Sequence, residues 1–258
     1  MSTSEIYPVL ITRDAAATIE RTLSSLSAFA EVIVYDNGST DDTLERCRQF
    51  PNVKVVTGDF FGFGPTKNHA VGLARGDWVL AIDADEYLSR ALLEELRTIR
   101  LDDPSVAYAI ERHNLFLGKD LRHGGIGDDW LVRLFNRRRC RFNDRPVHEK
   151  VVVPDGCTTT RLRGELWHQS CTDLDQMLDK IRRYSELNRH VAAKPQGLFM
   201  IWLGSSWAFF KSYVLKRGFL DGWRGLAIAY GDATGRFFKH MKRYADKATA
   251  ANRPDLPE

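Results

Sequence analysis

Apolar residues in the first hundred positions fall into short runs alternating with stripes at helical spacing. Ile6 to Thr12 reads as a first strand, closed by Arg13-Asp14. Ile19, Leu23 and Leu26 then recur every three or four positions, one apolar stripe of a helix. Glu31 to Tyr35 is a second strand that stops at Asp36-Asn37-Gly38-Ser39-Thr40-Asp41-Asp42. There Gly38 allows a tight turn, and Ser39 or Thr40 can cap a helix with Asp41 and Asp42 in its first turn. Leu44 and Cys47 are the expected inner face of that helix. Val53 to Val56 is a short third strand. Gly62-Phe63-Gly64-Pro65-Thr66-Lys67-Asn68 is a Gly-rich loop entering a helix, with Pro65 suited to its first position. The fourth strand, Trp78 to Ile82, is apolar on both faces and ends in Asp83-Ala84-Asp85-Glu86. A helix marked by Leu92, Leu93, Leu96 and Ile99 follows. Strands alternating with helices predict an α/β fold with a parallel sheet.

Beyond about residue 102 the pattern changes. Val106 to Glu111, Trp130 to Phe135 and Val147 to Val153 are strand-like pieces between Gly- and Arg-rich loops, which predicts an antiparallel extension of the sheet. A helix is expected from Thr172 to about Ala193, with Leu174, Met177, Ile181, Tyr184 and Leu187 on one face. From Leu198 to Ala245 the composition is helical and aromatic, with Lys and Arg interspersed. Its longest apolar run, Leu198 to Phe210, contains Gly204, Ser205 and Ser206 and falls short of the roughly 20 residues needed to span a bilayer.

Charge divides the chain in two. Residues 1–100 carry 10 Lys/Arg against 15 Asp/Glu, whereas the remainder carries 27 against 19. A basic second part suits an anionic membrane face, a phosphorylated substrate or nucleic acid. No nucleic-acid-binding module is visible, and nucleic acid is not expected as a partner. Cys47, Cys140, Cys157 and Cys171 form no CxxC pair and no zinc spacing, which predicts reduced thiols in the cytoplasm. Met1 to Pro8 lacks a charged start followed by an apolar core, so no signal peptide is expected.

Chemistry gathers at the strand ends. Asp14, Asp36, Asp83 and Asp85 follow strands one, two and four, and a parallel sheet brings those ends to one edge, where open α/β sheets bind ligands. Crowded carboxylates repel unless a cation lies between them, and a divalent ion is the usual one. The alternative is an acidic turn before a helix. Asp36 can accept hydrogen bonds from a nucleobase or ribose, or serve as turn chemistry with Asn37 and Gly38. The Gly62–Lys67 loop matches neither the Walker nor the dinucleotide pattern, yet its N–H groups and Lys67 can meet a diphosphate at a helix start.

These pieces, in this order and spacing, resemble the inverting family 2 glycosyltransferases of GT-A fold. Val9–Thr12, Val34–Asp41, Gly62–Gly64 with Lys67-Asn68, and Gly76–Asp77–Trp78 through Glu86 carry the likeness. Trp130–Phe135 and Val147-His148-Glu149 resemble the lipopolysaccharide-core β-1,4-glucosyltransferases of the WaaE/KdtX type, and Lys216–Gly222 is similar to that branch's C-terminal helices. The resemblance implies a GT-A catalytic domain over residues 1–170, with a nucleotide-sugar half (1–101) and an acceptor half (102–170). A helical region (171–250) and a tail (251–258) follow. It implies that Thr12, Arg13, Asp14 and Asp36 hold the nucleoside and that Lys67 lies near the pyrophosphate. Asp83 and Asp85 match the DxD motif. Asp85 would bind Mg²⁺ or Mn²⁺ between the phosphates, with Asp83 near the metal, ribose or sugar. Ala15 departs from the pattern, because relatives usually carry a polar or acidic residue there.

Inverting transfer needs a general base. Glu149 is preferred and Asp129, in Gly127-Asp128-Asp129-Trp130, is the other candidate. An ion pair of Glu149 with Arg145 or Lys150 is the structural alternative. His148 and His168 are possible helpers. The expected activity is hexose transfer from a nucleotide diphosphate sugar, UDP-glucose by resemblance, to a lipid-linked saccharide such as lipopolysaccharide inner core. The expected location is the cytoplasmic side of the inner membrane. The aromatic, basic C-terminal helices suit peripheral contact with that surface, or packing into a homo-oligomer. Two other readings remain open: a sugar-phosphate nucleotidyltransferase, disfavoured by the lack of glycine in Arg13–Ala17, and a non-catalytic nucleotide-sugar-binding protein.

Overall fold

The computed structural model describes residues 2–124, 129–144, 149–187, 189 and 196–251. The strands and helices of the first part are β1 (Ile6–Thr12), α1 (Ile19–Ser25), β2 (Val32–Asp36), α2 (Thr43–Arg48), β3 (Val53–Thr57), α3 (Phe63–Gly72), β4 (Trp78–Ala81), β5 (Glu86–Leu88) and α4 (Arg90–Thr98). There follow β6 (Val106–Phe116), β7 (Lys119–Leu121), β8 (Asp129–Asn136), β9 (Arg141–Phe142), β10 (Val151–Val152) and β11 (Thr158–Cys171), then α5 (Leu174–Leu187), α6 (Leu198–Phe210) and α7 (Gly222–Ala251).

The main sheet runs β3-β2-β1-β4-β8-β6-β11-β5, with β7 paired to β6. β3, β2, β1 and β4 are parallel, while β8 pairs antiparallel with β4, β6 with β8, β7 with β6 and β5 with β11. The mixed α/β sheet expected from the alternation is therefore present, with its antiparallel extension. β2 and β4 are buried at every position, which is why both read as unbroken apolar runs. One core layer includes Leu10, Ile19, Leu23, Leu26, Val34, Leu80, Leu92 and Leu96, and the other includes Ile33, Tyr35, Ala70, Val79 and Phe135.

Several local expectations are corrected. α2 starts at Thr43, and its inner face is Thr43 and Cys47, with Leu44 only half-buried. Neither Ser39 nor Thr40 caps it. Ser39 turns back to Asp36, Thr40 bonds Asp14, and the Asp41 carboxylate accepts the Thr43 N–H at 3.0 Å. Pro65 is the third residue of α3, after Gly62 in a left-handed conformation (φ 100°). The long strand β11 was not anticipated. Its signal is the alternation of buried Leu162, Gly164 and Leu166 with more exposed neighbours. In α5, Leu174 and Tyr184 are exposed, while Ser185 is buried. α6 continues without a break into a π-helical turn, Lys211–Leu215, so the helix is 18 residues, long and apolar enough to cross a membrane by length and composition.

Two compact units divide the chain within β6 and β11. The first comprises residues 1–113 and 129–169, and the second 114–128 and 170–258. The second unit thus takes in residues 114–128, which the sequence grouped with the acceptor half. Its core brings Phe116 and Leu121 against Cys171 and Ile228. The start of α7 and the turn before it hold the 114–124 segment: Arg224 donates to the Leu117 carbonyl at 3.1 Å, and Asp221 accepts the His123 N–H at 3.1 Å.

Candidate active site

The parallel register brings the predicted strand ends together. Thr12 lies opposite Asp36 and Asp36 opposite Thr57, while the Ile82 N–H donates to the Val9 carbonyl at 3.1 Å. Asp36 and Asp83 therefore sit on the same C-terminal edge. Asp36 is buried. Its Oδ2 accepts the N–H groups of Gly38 (3.0 Å) and Ser39 (3.1 Å), and its Oδ1 accepts the Ser39 hydroxyl. Asp14, in a left-handed conformation (φ 51°), ties the loop after β1 to the loop after β2 by accepting the Thr40 N–H at 2.7 Å. Its own N–H donates to Ser39 Oγ at 2.9 Å. Arg13 is exposed beside Asp14. Thr12 is buried, and its hydroxyl has no hydrogen-bond partner among the described residues. A buried hydroxyl without a partner is costly, and a bound ligand can supply the missing bond.

Lys67 projects from α3 and is buried. Its Nζ lies 2.7 Å from Asp83 Oδ1 and 2.7 Å from Glu149 Oε1. The other Asp83 oxygen accepts from Arg133 Nη2 at 2.9 Å, and the same nitrogen reaches Glu86 Oε1 at 2.5 Å. Arg112 lies 3.5 Å from Glu86 and 3.3 Å from Asp129. The seven side chains form a line of alternating sign: Glu149, Lys67, Asp83, Arg133, Glu86, Arg112, Asp129. It joins both candidate bases, Glu149 and Asp129, to Asp83. Burial alone would raise the Asp83 pKa, but Lys67 and Arg133 outweigh it and hold the carboxyl well below its ordinary value. Burial likewise opposes the charge of Lys67, yet Asp83 and Glu149 raise its pKa. Arg133, squeezed between Glu86 and Asp83, is held protonated above its ordinary value despite burial.

Asp85 faces a different partner. Its Oδ2 lies 3.2 Å from His168 Nε2, and its backbone carbonyl accepts the Gln169 N–H at 2.9 Å. β11 delivers His168 because it pairs with β5, His168 opposite Glu86. Asp83 and Asp85 thus differ: both oxygens of Asp83 are engaged by cationic side chains, whereas Asp85 meets an imidazole. No group of three or more His, Cys, Asp or Glu able to hold a metal occurs among the described residues. A carboxylate and an imidazole supply two donors of the kind Mn²⁺ accepts, so a cation there needs the rest of its shell from ligand or water oxygens.

Residues 9–164 match the family described as Glycosyl transferase family 2. The chain belongs to that family. A glycosyltransferase of Rickettsia prowazekii (strain Madrid E) is 29% identical over 92% of this chain and 86% of its own length. A glycosyltransferase of Rickettsia bellii (strain RML369-C) is 30% identical over 93% of this chain and 86% of its own. The lipopolysaccharide core biosynthesis glycosyltransferase LpsC of Rhizobium meliloti (strain 1021) is 26% identical over 69% of this chain and 68% of its own. The protein is accordingly a glycosyltransferase.

Within this family 2 glycosyltransferase, Lys67, Asp83, Glu149 and Asp129 are joined in one ionic line, and Asp85 is paired with His168. Glu149 meets Lys67 rather than Lys150; Arg145 and His148 lie outside the described residues. Asp129 is 62% exposed and pairs with Arg112. Sequence reasoning assigned no role to Arg133, Glu86 or Arg112. Arg133 was visible as a charge inside the apolar run Leu131–Phe135, where a buried cation demands a partner. An open groove of about 430 Å³ lies elsewhere, lined by Asn68, Arg137, Arg138 and Arg141 among others. None of the sequence-predicted site residues lines it.

Proposed function

We propose that this glycosyltransferase transfers a hexose, with inversion, from a nucleoside diphosphate sugar to a hydroxyl of a lipid-anchored saccharide at the cytoplasmic membrane face. The ionic line from Glu149 to Asp129 carries the reading, because it joins a buried lysine, the DxD motif and two carboxylate bases. UDP-glucose as donor rests on the sequence resemblance. A lipopolysaccharide-core acceptor draws support from that resemblance and from the likeness to LpsC.

The unpartnered Thr12 hydroxyl and the loop braced by Asp14 and Asp36 receive the nucleoside. Lys67 offers its remaining N–H to a phosphate oxygen, since two carboxylates occupy two of its three donors. Asp85 and His168 hold a divalent cation, Mn²⁺ or Mg²⁺, in preference to Asp83, whose oxygens Lys67 and Arg133 already engage. When bound, such an ion offsets the negative charge of the departing diphosphate. Glu149 accepts the acceptor hydroxyl's proton.

The assignment of Asp85 and His168 is tested by calorimetry of UDP binding with and without Mn²⁺. Wild type is expected to bind UDP more tightly with Mn²⁺, and Asp85→Asn and His168→Ala to lose that gain by about 10–100-fold. Equal Mn²⁺ dependence in all three proteins refutes it. Glu149→Gln is expected to lower kcat by about 10²–10⁴ while UDP affinity stays within a few fold. The same loss in Asp129→Asn, with Glu149→Gln active, moves the base to Asp129.

A further inference from the structure

α6 has its polarity reversed for a helix in water. The face it turns into its own unit holds Ile201, Gly204, Ser205, Ala208 and Ser212, all buried or half-buried. The packing there is close and partly polar: a Cβ on Gly204 would lie 2.7 Å from Arg236 Nε on α7. The opposite face carries the large apolar groups. Phe199 is 68% exposed, Trp202 62%, Trp207 55% and Met200 53%, and Leu203, Phe210 and Val214 are exposed with them. At 100° per residue these seven side chains share one broad arc, whose polar interruption is Ser206. The surface continues onto α7. Trp223, Leu226 and Tyr230 form an exposed stripe, and the Phe209 and Tyr230 rings lie 4.8 Å apart.

Water selects the opposite arrangement, and an exposed apolar surface of this breadth marks a binding face. Small residues at the helix–helix seam with large apolar residues outside are the pattern that lipid selects. Trp and Tyr favour the bilayer interface. The charge around the arc selects the kind of lipid: residues 198–243 carry eight Lys/Arg against two Asp/Glu, and Lys211, Lys216 and Arg217 are exposed just past α6.

We propose that the outer arc of α6, with the Trp223–Tyr230 stripe of α7, embeds in the interfacial layer of an anionic bilayer, with α6 in the membrane plane. At about 27 Å for 18 residues the helix nearly matches a hydrocarbon core. A crossing orientation, however, would carry Arg236 and the serines of the seam into the acyl layer, where an ionised group is costly. In the plane, the arc enters the lipid while the seam and the flanking Lys and Arg stay at headgroup level. The proposal deepens the membrane location of the proposed function and names the element that makes contact.

The test is flotation of the full chain with phosphatidylglycerol/phosphatidylcholine vesicles, alongside Trp quenching by lipids brominated on their acyl chains. Wild type is expected to float with the anionic vesicles, to be quenched, and to partition more weakly into pure phosphatidylcholine. Trp202→Glu/Trp207→Glu, at two exposed positions, is expected to lose about tenfold or more in partitioning. Its circular dichroism and UDP binding should stay unchanged. Three results overturn the proposal: no flotation of wild type, flotation unaffected by the double substitution, or a dimer by light scattering that the substitution dissociates in place of vesicle binding. UDP binding is read separately, so a failure of the catalytic reading is not confused with a failure of this one.

Discussion

At the scale of single residues, the site is governed by where charges find partners in a buried setting. Arg133 illustrates the magnitude. It is 5% exposed and pairs with Asp83 and Glu86 together, so removing it takes a buried cation from two carboxylates and leaves Asp83 to Lys67 and Glu86 to Arg112. Breaking a buried ion pair from one side costs about 3–5 kcal/mol. Arg133→Ala should lose stability of that order in urea unfolding. Arg133→Lys should recover only part of it, because an ammonium lacks the planar fork. The pH dependence follows from Asp83. Its folded pKa is depressed, so its stabilising contribution is complete above the ordinary value of 3.8 and is lost as pH falls through the lower folded value. Lys67 runs the other way: its contribution is complete below 10.5 and is lost at still higher pH. The melting temperature is therefore expected to show no loss from this network between those limits and to fall on the acid side. A titration of the network near neutrality, seen as a step in melting temperature that Asp83→Asn removes, contradicts this. Burial pushes the Cys47 and Cys140 thiols up to about 11, in keeping with inert core residues.

At the scale of elements, α3 and β11 decide what the site contains. α3 carries Lys67 and sits tightly against the segment after β9, since a Cβ on Gly64 would meet the Asn143 carbonyl oxygen at 1.9 Å. A backbone oxygen cannot swing away as a side chain can. Gly64→Ala should displace α3, destabilise the protein by about 1–3 kcal/mol and weaken UDP binding together with it. A variant with wild-type melting temperature and UDP affinity argues against that close approach. The Gly-rich loop was legible in the sequence as a helix entrance, but the reason Gly64 must be small lies 79 residues further on. β11 was missed because its run of Thr and Arg looks polar; only its period-two alternation betrayed a strand. With it went the placement of His168 beside Asp85, which depends on a pairing between segments about 80 residues apart. For α6 the apolar composition was plain, whereas the inward turn of the small residues depends on packing against α7.

At the scale of the whole molecule, the chain makes two compact units whose division is not sequential. Residues 114–128 belong with 170–258, and Phe116 and Leu121 have their core partners in Cys171 and Ile228. A chain ended at residue 170 should therefore expose Phe116 and Leu121, aggregate on size exclusion and melt below the full chain. A monodisperse product with the full chain's melting temperature would refute the placement of that segment. The expected boundary near 170 reflected a real change from strands to helices. It could not reveal that an earlier segment is tied to the later helices by Arg224 and Asp221.

The sequence by itself determined the alternation of strands and helices through the parallel half of the sheet and the edge where Asp36 and Asp83 emerge. Those properties follow from hydrophobic period and chain direction, which are local. The tertiary structure alone decided that Lys67 bridges Asp83 and Glu149, that Arg133 joins Asp83 to Glu86, that Asp85 meets His168, and that α6 keeps its aromatics outside. Ion pairing and burial depend on distance through space, and residues such as Asp83 and Arg133, fifty positions apart, acquire that distance only once the sheet has formed.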